Sequence, residues 1–459
     1  MISYIKINGF KSFYNFEMSF SPFTIIAGIN ASGKSNLFDA LMLISRLAEV
    51  ENIKKAFKEQ RGEFGELFTK FDENNTSDKM EFAVEMLVNK SVTDAWGNTA
   101  YLKYTRLRYE IEIQRIVNPN TGMEDLIVKS ESLENLKHNE DKWIKITPNS
   151  LRDFWRPKVT TGKRGIPYME TQEENGIPTV LVPQDGTTGN KRRFPLHNSS
   201  RTVLSSFDTI DFPHVLAAKE EMKSWKFLQL NPEELRKPTP KDNGEDTIDQ
   251  HGKNLAAALF RIKQKDPYSL IEISRKLNSF LPEFISVDVM DDKENKQFLI
   301  KLKDKDNKEY SSRVLSEGTL RILTLCVIDY DDKFSGLLCF EEPENGIHPF
   351  RVKDMAQLLK ELSTDFENED APLRQIIVNT HSPVMVKNLQ KWGNDRNVSM
   401  WFAKMNNRII DLNGKRLKIQ ISKLSPVIKD HELPFDVSEE ESKFSLSTVE
   451  KYLETINLS

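Results

Sequence analysis

The stretch Gly28-Ile29-Asn30-Ala31-Ser32-Gly33-Lys34-Ser35 constrains this chain more than any other. It matches G-x-x-x-x-G-K-[ST], and its flanks supply the context that the pattern needs. Before it, Phe23 to Ala27 is a short, mostly apolar run suited to a strand covered on both faces. After it, Asn36 to Leu47 places Leu37, Ala40, Leu41, Ile44 and Leu47 on one helical stripe. The glycines allow a tight wrap in which backbone N–H groups point inward at phosphate oxygens. The helix start adds a partial positive charge. Lys34 supplies a full charge to the β- and γ-phosphates, and Ser35 offers its hydroxyl to magnesium. The expected ligands are ATP and Mg2+, held by Gly28, Asn30, Ala31, Ser32, Gly33, Lys34, Ser35 and Asn36.

Two further segments complete such a site. Leu337 to Phe340 reads as a buried strand that delivers Glu341 and Glu342 at its C-terminal end, the edge where parallel sheets bind ligands. Adjacent side chains on a strand point to opposite faces, so the two acids serve different roles. Glu341 is expected on the magnesium side, through water, and Glu342 as the base that positions or activates the attacking water. Asn379-Thr380-His381-Ser382-Pro383 follows the next apolar strand, which would set His381 beside the γ-phosphate. Leu315-Ser316-Glu317-Gly318-Thr319-Leu320 opens a helix, and Ser316 with Gly318 forms a natural anion receptor. Ser316 lies far from Lys34 in sequence. Two copies arranged head to tail could place Ser316 of one on the phosphate held by the other, so a homodimer or higher homo-oligomer is expected.

The rest of the chain bounds the fold. Lys plus Arg is 65 and Asp plus Glu 69 in 459 residues, a net charge of −4. That excludes a globally basic protein wrapped in nucleic acid and leaves room for a local basic groove. No apolar run approaches the ~20 residues of a membrane span, and the opening MISYIKINGF lacks a secretory pattern. Two cysteines, Cys326 and Cys339, exclude a disulfide framework or zinc cluster and fit reduced core thiols, so a cytoplasmic protein is expected. The first 27 residues and residues 78–133 alternate like strands, with a turn signal at 118–122. Residues 134–205 are polar and carry no clear period. Their basic triplet Lys191-Arg192-Arg193 is the candidate contact for DNA or an acidic partner, against the plainer reading of a solvated loop. From about 224 to 281 the signal is helical, and 285–310 reads as a strand pair. From Leu315 onward helix and buried strand alternate, which argues for parallel α/β architecture. The last 30 residues begin acidic and finish in a short helix opened at Ser447. No long coiled coil is present in the pattern.

Taken together, these motifs resemble the ABC-type ATPases of the structural-maintenance-of-chromosomes and RecF class. Gly9 to Phe13 looks like the strand segment preceding the phosphate loop there. Gly28 to Ser35 looks like Walker A, Leu315 to Thr319 the signature motif, Leu337 to Glu342 Walker B, and His381 the switch histidine. Within the class, Glu341 to Pro349 looks like the small RecF-like, OLD-type ATPases, with Glu341 standing where most ABC proteins carry Asp. The resemblance implies an α/β P-loop head with an antiparallel β subdomain and an inserted helical and irregular region. Residues 1–133 and 311–459 would be the two ATPase lobes, the second ending in a short tail, and 134–310 the insertion. It also implies a Q-loop residue as a further metal contact, for which Gln60, followed by Arg61-Gly62, is the candidate. Relatives of this kind serve as ATPase sensors in anti-phage systems such as Septu, PARIS and those associated with retrons, beside a separate nuclease. No Toprim nuclease pattern follows His381, so any nuclease is expected to be a partner chain. The alternatives are a RecF-like repair clamp on DNA and an ATP-binding scaffold with little turnover.

Overall fold

The computed structural model describes residues 1–117, 122–157, 166–184, 190–369, 372–388, 392, 395–412 and 414–427. Most of the 118–122 turn signal, the acidic stretch beyond 427 and the helix expected at Ser447 lie outside the described residues.

The chain opens with β1 (Ile2–Asn8), β2 (Phe16–Ser19) and β3 (Phe23–Gly28), followed by α1 (Lys34–Glu49) and α2 (Ile53–Lys58). Next come β4 (Lys79–Leu87), β5 (Ser91–Thr93), β6 (Thr99–Tyr101), β7 (Arg106–Val117) and β8 (Glu124–Asn135). The polar middle holds α3 (Arg152–Trp155), β9 (Glu170–Glu174), β10 (Ile177–Pro183), β11 (Lys191–Pro195) and α4 (Pro213–Lys223). After β12 (Lys226–Leu228) follow α5 (Pro232–Arg236), β13 (Thr239–Pro240), α6 (Leu255–Lys265), α7 (Tyr268–Phe280), β14 (Phe284–Asp292), β15 (Gln297–Asp304) and β16 (Glu309–Ser311). The final third is α8 (Glu317–Tyr330), β17 (Gly336–Glu341), α9 (Pro349–Leu362), β18 (Arg374–Thr380), α10 (Pro383–Asn388), β19 (Val398–Leu412) and β20 (Lys415–Pro426).

One sheet has the order β12-β17-β18-β3-β19-β20 and is parallel except for the last pair. Its central strands are apolar along their whole length because both faces are covered. Leu337 and Cys339 of β17 join the core beneath α1 and the antiparallel sheet β2-β1-β4-β7-β8. Leu338 and Phe340 face the opposite way, into the core made with α8 and α9. The period-two alternation of one strand thus feeds two cores. Both cysteines are buried free thiols, and burial pushes the Cys326 thiol up to about 12.

Several expectations need correction. The segment 398–426, for which the sequence suggested no element, forms two strands: β19 pairs with β3 and makes a long hairpin with β20. Its alternation is hard to read in β19 because four consecutive residues, Asn406, Asn407, Arg408 and Ile409, are exposed, so both faces of that strand are open there. Residues 134–205 include the three-stranded sheet β11-β10-β9, whose short strands are largely polar on their exposed positions. Lys191-Arg192-Arg193 lies in β11 rather than in a loop. The region expected to be helical from 224 begins with β12, which docks on β17 at the edge of the parallel sheet, while the helix before it, α4, already starts at Pro213. Gly9 to Phe13 is a tight turn between β1 and β2, with Lys11 at φ 45°, and not a strand.

Candidate functional site: a phosphate loop at the carboxyl edge of the parallel sheet

Three neighbouring strands, β3, β18 and β17, end together, and each releases one piece of the site. Parallel strands present their carboxyl ends at one edge, so the order β17-β18-β3 gathers Glu341, Thr380 and Gly28 there.

After β3 the backbone turns through Ala31 at φ 61° and Gly33 at φ 90° before α1 begins. Gly33 is the N-cap of α1 and brings no side-chain cap, so the first N–H groups of the helix remain directed into the loop. An open depression of about 170 Å³ is lined by Asn30, Ala31, Ser32, Gly33, Lys34, Ser35, Asn36 and Glu342. The Gly28 position is constrained as well, since a Cβ there would sit 2.6 Å from the Ala403 carbonyl oxygen of β19.

The Lys34 ammonium donates to the carbonyls of Gly28 (2.7 Å) and Ile29 (2.8 Å). Burial pulls its pKa below the usual lysine value, against the opposing fields of Glu342, Glu344 and Glu341. Lys34 therefore faces three carboxylates. The Ser35 hydroxyl donates to Glu341 Oε1 at 2.6 Å. Glu342, the next residue, stands at φ 45°, a left-handed conformation that costs a non-glycine residue on the order of 1–3 kcal/mol. Its N–H donates to Asn379 Oδ1 (2.9 Å), and its carboxylate meets His381 Nδ1 at 2.9 Å and accepts from Asn345 Nδ2 at 2.9 Å. The kink sends Glu341 toward Ser35 and Glu342 toward His381, giving the two acids different partners.

Glu344, Asn379, Ser12 and Ser422 were not singled out from sequence. Glu344 is buried, and one oxygen accepts from the Thr380 hydroxyl while the other has no hydrogen-bond partner among the described residues. Burial raises its pKa, with the Thr380 hydrogen bond opposing. Its signal was available, as a third acid in Glu341-Glu342-Pro343-Glu344. Ser12 and Ser422 had none: their hydroxyls meet at 2.6 Å across the β1–β2 turn and β20, and Ser12 also accepts from Asn36 Nδ2 at 2.7 Å.

Not every expected residue joins this cluster. Ser316 caps α8, accepting from the Thr319 N–H at 3.2 Å, and neither it nor Gly318 lines the depression. Gly318 packs instead against the Gly346–Ile347 loop beyond Glu342. Gln60 is buried, with both side-chain polar atoms lacking hydrogen-bond partners among the described residues, and does not line the depression either. Its neighbour Arg61 binds Asp39 of α1 at 2.9 Å. The basic triplet is occupied within its own domain: Lys191 pairs with Glu170, Arg193 with Glu174, and Arg192 lies over the rings of Phe207 and Phe212.

The donor set suits a magnesium-bound polyphosphate. Among the described residues no group of three or more His, Cys, Asp or Glu could cage a metal. Mg2+ is commonly held by one or two protein oxygens with substrate phosphate and water filling the remaining positions, and Ser35 beside Glu341 offers such a pair.

A strand, a glycine-bounded loop ending in Lys-Ser and a helix, set at the carboxyl edge of a parallel sheet, define a P-loop NTPase of mixed α/β fold. The chain belongs to the AAA ATPase domain family, whose model matches residues 1–386. No protein of curated function matches it by sequence. Among solved structures, an SMC head bound to the C-winged helix domain of ScpA aligns over 94% of this chain and 98% of that chain, at 15% identity and a TM-score of 0.49. The SMC head domain from Thermotoga maritima aligns over 93% and 98%, at 13% identity and 0.38. The SMC head of Pyrococcus furiosus with an extended coiled coil, bound to the C-terminal domain of ScpA, aligns over 99% of both chains at 16% identity and 0.43. Among the described residues no helix is long and apolar enough to cross a membrane.

Proposed function

We propose that this chain binds ATP with Mg2+ at Gly28–Asn36, hydrolyses it, and works as a nucleotide-driven dimer switch. The observation that carries the reading is the convergence of the phosphate loop, the Ser35–Glu341 hydrogen bond and the Glu342–His381 pair at one sheet edge. Lys34 leaves its own loop carbonyls to neutralise the β- and γ-phosphates, where three nearby carboxylates would otherwise repel them. Ser35 and Glu341 hold the metal side, and Gln60 is the proposed further contact on that side. Glu342 accepts a proton from the attacking water, and His381 orients that carboxylate and approaches the γ-phosphate.

The signature segment supports the dimer. Ser316 and Gly318 sit at the start of a helix and outside the depression of their own chain, which suits capping the γ-phosphate of a second copy. The partner beyond the dimer is a separate nuclease or other effector, and the setting is bacterial anti-phage defence in the cytoplasm. Both rest on the resemblance of the Glu341–Pro349 run to ATPases of such systems. Steady-state phosphate release by the purified chain, with and without DNA ends, tests the switch. ATP turnover that disappears in Glu342→Gln supports it, and ATP binding with no turnover in the wild type replaces it with a scaffold.

A further inference from the structure

Beyond the last ladder pair of β17 and β18, Glu341 with Asn379, the two strand ends stay joined through side chains. Asn379 Oδ1 accepts from the Glu342 N–H, the Thr380 hydroxyl donates to Glu344 Oε1, and His381 Nδ1 meets Glu342 Oε1 at 2.9 Å. Successive residues of one strand end thus grip the acidic segment that follows the other. The proposed hydrolytic step uses Glu341, Glu342 and His381 and leaves Glu344 without a task.

The local backbone explains how an acid reaches the interior there. The kink at Glu342 and the fixed φ of Pro343 turn the chain back under the sheet edge. Glu344 is only 7% exposed, whereas Asn345 and Gly346 after it are exposed. Its carbonyl accepts from the Ile347 N–H at 3.0 Å, which closes the turn. A buried carboxylate gives up its hydration, and Glu344 recovers only part of that loss, because Oε2 has no hydrogen-bond partner among the described residues. Burial raises its pKa accordingly. The contribution of this acid therefore lies in what Oε1 holds.

Oε1 holds Thr380, which is wholly buried. The Thr380 oxygen in turn accepts from the Ser382 N–H at 3.0 Å. That hydrogen bond reaches two residues along the chain and makes a side-chain turn with His381 at its centre, between β18 and α10. The hydroxyl has one proton, and with its oxygen turned to Ser382 that proton needs a buried acceptor. Glu344 supplies it, and a bond to an ionised acceptor is roughly twice as strong as one between neutral groups.

We infer that Glu344 is a positioning residue for hydrolysis: it fixes the Thr380 hydroxyl, which shapes the turn that holds His381 against Glu342. The inference rests on the ATPase reading. Glu344 does not line the depression, so it acts through Thr380 and not on the nucleotide.

Steady-state turnover and calorimetric ATP affinity of the purified chain, measured side by side, test this. Glu344→Ala and Thr380→Val should each lower kcat roughly tenfold while leaving ATP affinity unchanged. Glu344→Gln, whose amide oxygen still accepts, and Thr380→Ser, which keeps the hydroxyl, should each recover most of that loss. In the His381→Ala background Glu344→Ala should cost nothing further, because no imidazole is left to hold. Thr380→Val and Thr380→Ser carry the same comparison if Glu344→Ala does not fold. An additional loss in the His381→Ala background overturns the inference. A fall in ATP affinity that matches the fall in turnover also overturns it, since Glu344 would then serve the phosphate loop through Lys34, whose charge it faces. Wild-type protein that binds ATP without turnover overturns the ATPase reading and this inference with it, whereas wild-type turnover untouched by Glu344→Ala and Thr380→Val overturns the inference alone.

Discussion

The hydroxyl of Ser35 donates to Glu341 Oε1 at 2.6 Å, joining residues 306 apart in the chain. The contact closes the phosphate loop against the end of β17 and puts two hard oxygen donors side by side. Ser35→Ala removes one of them without disturbing the apolar strand or the Lys34 contacts. Magnesium-dependent ATP binding should fall roughly tenfold or more, while metal-free binding changes little. Calorimetric titrations with and without Mg2+ measure both. Equal loss in the two conditions would reassign Ser35 to loop packing.

Glu342 and His381 form the second relationship, at 2.9 Å. Glu342→Gln keeps the shape of the side chain and its position at φ 45°, and removes proton-accepting capacity. Turnover should fall on the order of 100-fold or more with ATP affinity retained. His381→Ala should lower turnover less, since Asn345 and the backbone kink still hold the carboxylate. Stopped-flow phosphate release reads both variants. Wild-type turnover in Glu342→Gln would move the base to another residue.

The close approach of β20 to the loop yields a packing test. A Cβ on Gly33 would lie 1.7 Å from Ser422 Oγ, and the backbone there is at φ 90°. Gly33→Ala should therefore lose ATP binding and, through the left-handed backbone alone, roughly 1–2 kcal/mol of stability. Adding Ser422→Gly removes the clash and should restore part of the thermal stability. No recovery in the double variant would mean that backbone strain alone sets the cost.

Glu131 provides a pH test of the β subdomain. Its buried carboxylate accepts from the N–H groups of Val203 and Leu204 and from the Tyr109 hydroxyl. Burial raises its pKa to about 7. Because the folded value lies above the unfolded one, this group's contribution is fully present below about pH 4.5 and is lost as the pH rises toward 7. Denaturant midpoints of wild type and Glu131→Gln should therefore diverge with pH between those limits, in favour of the variant, and run parallel above them. A constant difference across the range contradicts the assignment.

The phosphate loop, β17 with its acids and His381 were legible because each is a local pattern bounded by an apolar strand. Phe23 to Gly28 and Leu337 to Phe340 are buried on both faces, so their composition alone marks them. In the C-terminal hairpin β19 was not legible, because Asn406 to Ile409 are exposed in succession, whereas β20 alternates Leu417, Ile419 and Ile421 with Lys418, Gln420 and Ser422 and its signal was available. Ser12 and Ser422 are two ordinary serines whose importance arises from a contact between distant segments. Gln60 rests on resemblance alone: it is buried, its side-chain polar atoms have no hydrogen-bond partner among the described residues, and it does not line the depression. The charge of the basic triplet is visible in sequence, whereas its partners Glu170, Glu174, Phe207 and Phe212 are not.

The most direct test of the switch is ATP hydrolysis by a mixture of two inactive proteins, Lys34→Ala and Ser316→Arg. In a head-to-tail dimer of the two, one composite site combines an intact phosphate loop with an intact signature, while the other carries both lesions. The account predicts that each variant alone is inactive, that Ser316→Arg still binds ATP, and that mixing restores part of the turnover. Normal hydrolysis by Ser316→Arg on its own would contradict a site shared between two copies.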